Sequence, residues 1–291
     1  MNLTTVIISV AAYLILAPIA GGLLAGIDRK ISARMQGRVG PPILQPFYDF
    51  FKLMEKEPIT VNKVQDFYVM CFLIFIIITG CFFFAGGDLL LIIFTLTLAS
   101  IFLVVAAFSS NSPYAQIGAE RELLQMMAYE PMVLITAVGF YIVRGSFNIS
   151  DIVASSQGMA IQYLPGIFLG FVFILTIKLR KSPFDLSMSH HAHQELVKGL
   201  TTEFSGKTMA VIEIAHWYEN IFLLGFVYLF FVNAMAWSPV LAVVICLATY
   251  FLEILIDNNY ARMKWQIAIN SSWIVAITLG FVNLLILYFI S

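Results

Sequence analysis

Charge is scarce in this chain. Only 11% of its 291 residues are Asp, Glu, Lys or Arg, whereas 60% are apolar. A soluble domain has no way to hide that much apolar surface, so a bilayer must supply part of the solvent. The few charges nearly cancel, with a formal net charge of -1, and no basic stripe points to nucleic acid. Cysteine is rarer still. Cys71, Cys81 and Cys246 each sit inside an apolar run, at spacings that suit neither an iron–sulfur cluster nor a zinc site. They read as small packed side chains. No glycine fingerprint for a nucleotide follows a strand, and nothing suggests a haem site. The chain is therefore expected to bind no cofactor or metal of its own. The first apolar run lacks a basic flank and a cleavage site, which makes it a retained span. No internal repeat or low-complexity tract appears, so residues 1–291 read as a single transmembrane domain.

What is present is a series of long apolar runs. A helix needs ~20 apolar residues to cross the hydrocarbon, and about eight segments qualify. They are Leu3–Gly26, Phe67–Ala85, Leu89–Ser109, Leu123–Val143, Leu164–Leu179, Met209–Asn233, Pro239–Ile256 and Gln266–Ile290. Backbone groups in lipid need internal partners, so the expected class is an all-α integral membrane protein. The loops at about 27–66, 180–208 and 257–265 hold most of the basic residues. With eight crossings these loops share one face, which the basic residues assign to the cytoplasm, and both termini lie on the outer side of the cell membrane. Within the first loop, Phe47, Phe50, Phe51 and Met54 recur at helical spacing opposite Asp49, Lys52 and Lys56. That pattern predicts an amphipathic helix lying in the headgroup plane or packed on a partner.

Ionisable groups inside spans are costly and mark function or a fixed partner. Arg121 and Glu122 immediately precede the fourth span and Glu130 lies near its middle, with Arg121, Gln125 and Tyr129 on one helical face. Glu130 precedes Pro131, which removes a backbone donor and is expected to loosen the helix. Glu213, His216 and Glu219 follow at successive i+3 steps in the sixth span, and Tyr250, Glu253 and Asp257 share a face of the seventh. Such a row predicts a hydrated, titratable path, with burial raising carboxylate pKa values and arginine lowering them. The alternative is that the terminal members simply reach water. The fifth-to-sixth connection carries Asp185, the cluster His190, His191 and His193, and then Glu195 and Glu203. The histidines suit a solvated loop surface, or proton handling or partner contact, better than metal binding, since no thiolate lies near them.

Several separated motifs then carry a resemblance over almost the whole chain. They are Gln36-Gly37-Arg38-Val39-Gly40-Pro41 with Leu44-Gln45-Pro46, Tyr114-Ala115 with Arg121, Gln125 and Tyr129-Glu130, Pro183-Phe184-Asp185, and Glu195-Leu196-Val197 with Glu203-Phe204-Ser205-Gly206. The chain resembles the respiratory complex I membrane protein called NADH dehydrogenase subunit 1 (the H subunit in bacteria) and its relatives in energy-converting [NiFe] hydrogenases. The resemblance implies a non-redox subunit that docks a soluble arm through the Arg38, Asp185, His190–Glu195 and Glu203 regions. It also implies an acidic coupling chain involving Glu130, Glu213 and Glu219, with Arg121 beside it.

Where quinone-reducing relatives have a Glu-Thr-Asn-Arg-like stretch, this chain reads Lys178-Leu179-Arg180-Lys181. Their short acidic stretch after Pro-Phe-Asp is replaced by Ser187–Gln194 with its histidines. In these departures the chain is similar to the membrane subunits of Ech-type hydrogenases. That branch implies hydrogenase large and small subunits, an iron–sulfur subunit and an antiporter-like subunit as partners. It also implies ferredoxin as donor, a [NiFe] centre and [4Fe-4S] clusters in those partners, and proton or sodium translocation. The alternative is the quinone-chamber subunit of an NADH-quinone oxidoreductase.

Overall fold

The computed structural model describes residues 3–57, 62–156, 158–189 and 196–290. The chain forms α1 (Leu3–Met35), α2 (Gln45–Glu55), α3 (Lys63–Phe84), α4 (Leu89–Phe108), α5 (Pro113–Arg144) and α6 (Ile149–Ala154). It continues with α7 (Pro165–Lys178), α8 (Gly206–Phe231), α9 (Ser238–Asn259), α10 (Trp265–Val275) and α11 (Val282–Ile290). A π-helical stretch at Ala276–Phe281 joins α10 to α11 as one rod. Their boundaries follow local chemistry. Asn62 and Asp88 cap α3 and α4 by accepting from backbone N–H groups. Proline opens α5, α7 and α9, where its missing donor costs nothing.

Among the described residues, seven helices are long and apolar enough to cross a membrane, and α7 is a shorter apolar one, which together match the eight expected segments. At 14 residues, α7 reaches only about 21 Å, short of the ~30 Å hydrocarbon layer. The chain after it stays packed in protein, since every residue from Ser182 to Ser189 is buried without regular secondary structure. Irregular backbone is tolerated at such depth only where protein covers it. The described residues of the connection at about 180–208 are thus largely folded back into the bundle. Gln125 Nε2 donates to the Phe184 carbonyl at 2.6 Å, and Tyr114 both donates to the Val197 carbonyl and accepts its N–H. Gly118 permits this approach, for a Cβ there would lie 2.2 Å from the Leu200 nitrogen.

The first and fourth spans also run further than the apolar pattern indicates. α1 continues past Gly26 to Met35, and α5 begins at Pro113. Pro131 leaves α5 unbroken. α8 is the central helix: 72% of its apolar stretch is buried, against 22% for α1. Side chains from the C-terminal ends of α1 and α9 meet the residues just after α7, so the three basic connections share one end of the bundle.

The amphipathic helix is built into that end. α2 lies against α1 and α8, with Phe47 and Phe50 on Trp217 at 5.2 and 5.8 Å between ring centroids. Tyr48, Phe51 and Met54 face outward, so the expected apolar face is split between bundle and surroundings. Gly26 makes the seat possible, because a Cβ there would stand 1.8 Å from the Ile43 carbonyl oxygen. Gly26→Ala is expected to destabilise the protein by about 1–3 kcal/mol through overpacking. Tyr48→Ala, on the outward face, should stay within about 0.5 kcal/mol. Thermal unfolding in detergent measures both.

Candidate ionic chamber

The residues that follow α7 form a cationic insert among carboxylates from four helices. Lys178, on the last turn of α7, places Nζ 3.1 Å from Glu219 Oε1 of α8 and 3.3 Å from Ser100 Oγ of α4. It also stands 4.6 Å above the Tyr129 ring of α5. Both ends of the Lys178–Glu219 pair are 6% exposed. Arg180, in the left-handed region at φ 53°, donates to Glu122 Oε1 of α5 at 3.0 Å. Its other amino group meets His216 Nε2 of α8, and the second Glu122 oxygen accepts from Ser187. Lys181 pairs with Asp28 of α1 and, at 3.5 Å, with Asp257 of α9. Asp257 also accepts the Ser182 N–H at 2.8 Å.

These groups surround a cavity of about 480 Å³. Its wall contains four cations (Arg29, Lys178, Arg180, Lys181) and four acids (Asp28, Asp185, Glu219, Asp257), besides His216. Burial alone would push Arg180 and Lys181 down, but their carboxylates outweigh it and hold both above the ordinary range. The sign follows: Lys181's contribution to stability is complete below the usual lysine range and is lost only as pH rises through its raised value. Near neutrality Arg180 and Lys181 are charged.

The structure gathers some of the sequence-predicted residues and separates others. Glu122, Glu219, Asp257 and Asp185 converge on the insert. Glu253 lies one turn from Asp257, fully buried, and neither of its carboxyl oxygens has a hydrogen-bond partner. Thr176 approaches it from α7, yet its hydroxyl bonds the Val172 carbonyl at 3.4 Å. Glu213 parts company with His216 and Glu219 and lines a separate cavity beside Asp49 and Lys198. Arg121 stacks on Trp265, 5.1 Å from the ring centroid. Glu130 is half-buried and in no ion pair among the described residues. Arg38 is exposed and hydrogen-bonds Gln36, while Glu203 is half-buried. His190, His191, His193 and Glu195 lie outside the described residues. Among the described residues, no three His, Cys, Asp or Glu side chains gather as metal ligands. Asp28 and Ser187 escaped the sequence reading. The available signal for Asp28 was an acid beside Arg29 at the end of an apolar run.

Fold and chamber together define a multi-span helical membrane subunit whose buried ionic network sits at its loop-bearing end. The match to the family described as NADH dehydrogenase runs from residue 7 to 288, and the chain belongs to that family. It is 30% identical over 305 residues to the H subunit of NADH-quinone oxidoreductase from Geobacillus kaustophilus (strain HTA426), covering 94% of this chain and 89% of that protein. It is 26% identical over 277 residues to hydrogenase-4 component C of Escherichia coli (strain K12), covering 87% of each. Its fold matches a chain of the membrane-bound sulfane sulfur reductase, an archaeal respiratory membrane complex. That match has a TM-score of 0.85 and 27% identity, over 96% of this chain and 99% of the other. The chain is accordingly a membrane subunit of a complex I-like or energy-converting-hydrogenase-like assembly, with other subunits as its partners.

Removing one member of a buried pair strands the other charge. Glu219→Gln should therefore destabilise the protein by about 3–5 kcal/mol, whereas Lys178→Met combined with Glu219→Leu should recover most of the loss. Unfolding midpoints in detergent of the wild type, of Lys178→Met and Glu219→Leu singly and of the two combined provide the comparison, and additive effects would contradict the pairing.

Proposed function

We propose that this chain is the coupling subunit of an energy-converting [NiFe] hydrogenase. It would dock the hydrogenase arm and link ferredoxin-driven hydrogen evolution, or the reverse, to proton or sodium movement. The observation that carries this reading is the chamber wall. Four cations and four acids line a space of about 480 Å³. Small-molecule sites that hold an apolar ring are walled mainly by apolar and aromatic side chains. A wall of paired ions suits charge transmission better. Similarity to hydrogenase-4 component C supports the same choice.

In this reading the hydrogenase large and small subunits and an iron–sulfur subunit supply the [NiFe] centre and [4Fe-4S] clusters. An antiporter-like subunit extends the membrane path. A change of charge at the docking face shifts the pairing of Lys178, Arg180 and Lys181, and through them the proton occupancy of carboxylates such as Glu219. Glu130, Glu213 and Glu253 are the further proton-holding groups, and both chain termini lie on the outer side. Moving one charge against ~100 mV needs about 2.3 kcal/mol. A swing of ~2 pKa units in one carboxylate is worth about 2.7 kcal/mol, which is enough.

The quinone-chamber reading rests on the 30% identity to the NADH-quinone oxidoreductase protein of Geobacillus kaustophilus. Purification of the intact complex separates the two. The hydrogenase reading predicts a copurifying large subunit with Cys-x-x-Cys pairs near both ends and hydrogen evolution from reduced ferredoxin. Quinone-dependent NADH oxidation, blocked by quinone-site ligands, would establish the other.

In membrane vesicles, Glu130→Gln or Glu213→Gln should cut gradient formation roughly tenfold or more, a loss of at least about 1.4 kcal/mol in the coupled step, while electron transfer persists. Unchanged gradients in both variants would leave the chain as a passive anchor.

A further inference from the structure

The ionic chamber has two polar neighbours at the same end of the bundle. One, of about 260 Å³, meets it at Arg29 and is partly walled by Pro46, Phe50, Leu53 and Met209. The other, of about 640 Å³, meets it at Ser32 and Asp257. Apart from Ala261, its wall is made of side chains that carry hydrogen-bonding groups, including Gln36, Arg38, Ser182 and Arg262. An unbroken hydrogen-bonded chain runs from the wall of this second space to the chamber. Exposed Arg38 donates to Gln36, Gln36 Nε2 to Asn258 Oδ1 (3.2 Å), Asn258 Nδ2 to Ser32 Oγ (3.0 Å), and Ser32 Oγ to Asp28 Oδ1 (3.3 Å). Lys181 closes it by bridging Asp28 to Asp257.

We propose that the 640 Å³ space is the port through which water and protons reach the ionic chamber, and that Lys181, held between Asp28 and Asp257, is its gate. Three observations converge. A chamber of charged groups exchanges protons only through a wetted route, and of the two flanking spaces this one offers hydrogen-bonding groups along nearly its whole wall. The two spaces share Ser32 and Asp257, and Lys181 ties Asp257 to Asp28 on the chamber side, so release of the Asp257 contact loosens the wall where they meet. The bridge is asymmetric, since Lys181 is much closer to Asp28 than to Asp257, and the weaker contact lies on the port side. The chain of bonds begins at Arg38, on the surface motif Gln36-Gly37-Arg38. A partner seated there therefore acts on the gate through four intervening side chains.

That the traffic is protons rests on the coupling function proposed above. The geometry of access does not, and the test reads access. In the intact complex, Cys71, Cys81 and Cys246 are replaced by alanine and Asn220→Cys places one thiol in the chamber wall. A membrane-impermeant, positively charged thiol reagent is applied from the loop-bearing side. A gate that opens about 0.1–10% of the time should give slow labelling, and Lys181→Met should accelerate it roughly tenfold or more. Ala261→Trp, at an exposed position in the port, should suppress labelling in both backgrounds. It also serves where Lys181→Met fails to assemble. Labelling that ignores Ala261→Trp overturns the proposal. So does labelling accelerated by Asp49→Ala, which loosens the 2.6 Å Arg29–Asp49 pair on the other flank, but not by Lys181→Met. Neither outcome bears on whether the complex makes hydrogen.

Discussion

The insertion of Lys178, Arg180 and Lys181 among buried carboxylates holds the loop-bearing end together. Between them the three cations reach four helices: Glu219 on α8, Glu122 on α5, and, both from Lys181, Asp28 on α1 and Asp257 on α9. α7 is too short to carry the chain across the hydrocarbon by itself. The buried segment after it is anchored by these pairs and by backbone contacts with α5. Buried pairs contribute little net stability, because desolvation offsets attraction, but they penalise every arrangement that separates them. Their main effect is to specify how this irregular segment sits.

The same pairs give the chamber its chemistry. Lys178 is shared by Glu219, Ser100 and the face of Tyr129, so the charge state of Glu219 bears on contacts to three other helices. Arg180 joins Glu122 to His216 in the same manner. A single proton gained or lost at one acid therefore alters packing at several helices. That is the physical content of coupling: a discrete arrangement whose balance two distant events both bias. Glu213 and Glu130 lie outside this hydrogen-bonded cluster. The part proposed for them in ion movement would require water or a rearrangement to link them to it.

Much of the fold was legible because lipid leaves few options. Apolar run length located the spans, and the clustering of Arg and Lys placed the basic connections at one end, as the Lys181 contacts bear out. Period alone located α2, but could not divide its aromatic residues between Trp217 and the outer surface. That division depends on Gly22 and Gly26 opening a seat on α1. In the same way, i+3 spacing grouped Glu213 with His216 and Glu219, yet α2 and Lys198 draw Glu213 into another cavity. Lys178, Arg180 and Lys181 were visible as a departure from an acidic pattern. Their partners were not, since Asp28 is 153 residues from Lys181 in sequence and the contact exists only once α1 and α9 flank the insert. Ion pairing across a bundle carries no periodic signature.

The charge pattern itself constrains mechanism. Four cations and four acids in one wall leave the chamber formally neutral as a whole, so each buried ion has an opposite charge whose attraction offsets its desolvation cost. Neutrality of the whole is compatible with several distributions of partners. Lys181 has two carboxylates within reach and Asp257 has a second donor in the Ser182 N–H. Movement of the ammonium toward either acid therefore exchanges one charged contact for another and strands no ion completely. Such an exchange is inexpensive compared with breaking a pair outright, which is the property a repeatedly cycling element needs. An apolar lining would offer no comparable set of alternatives, and a wall of a single sign would repel itself apart. Balanced, redundant pairing keeps the site both stable and switchable.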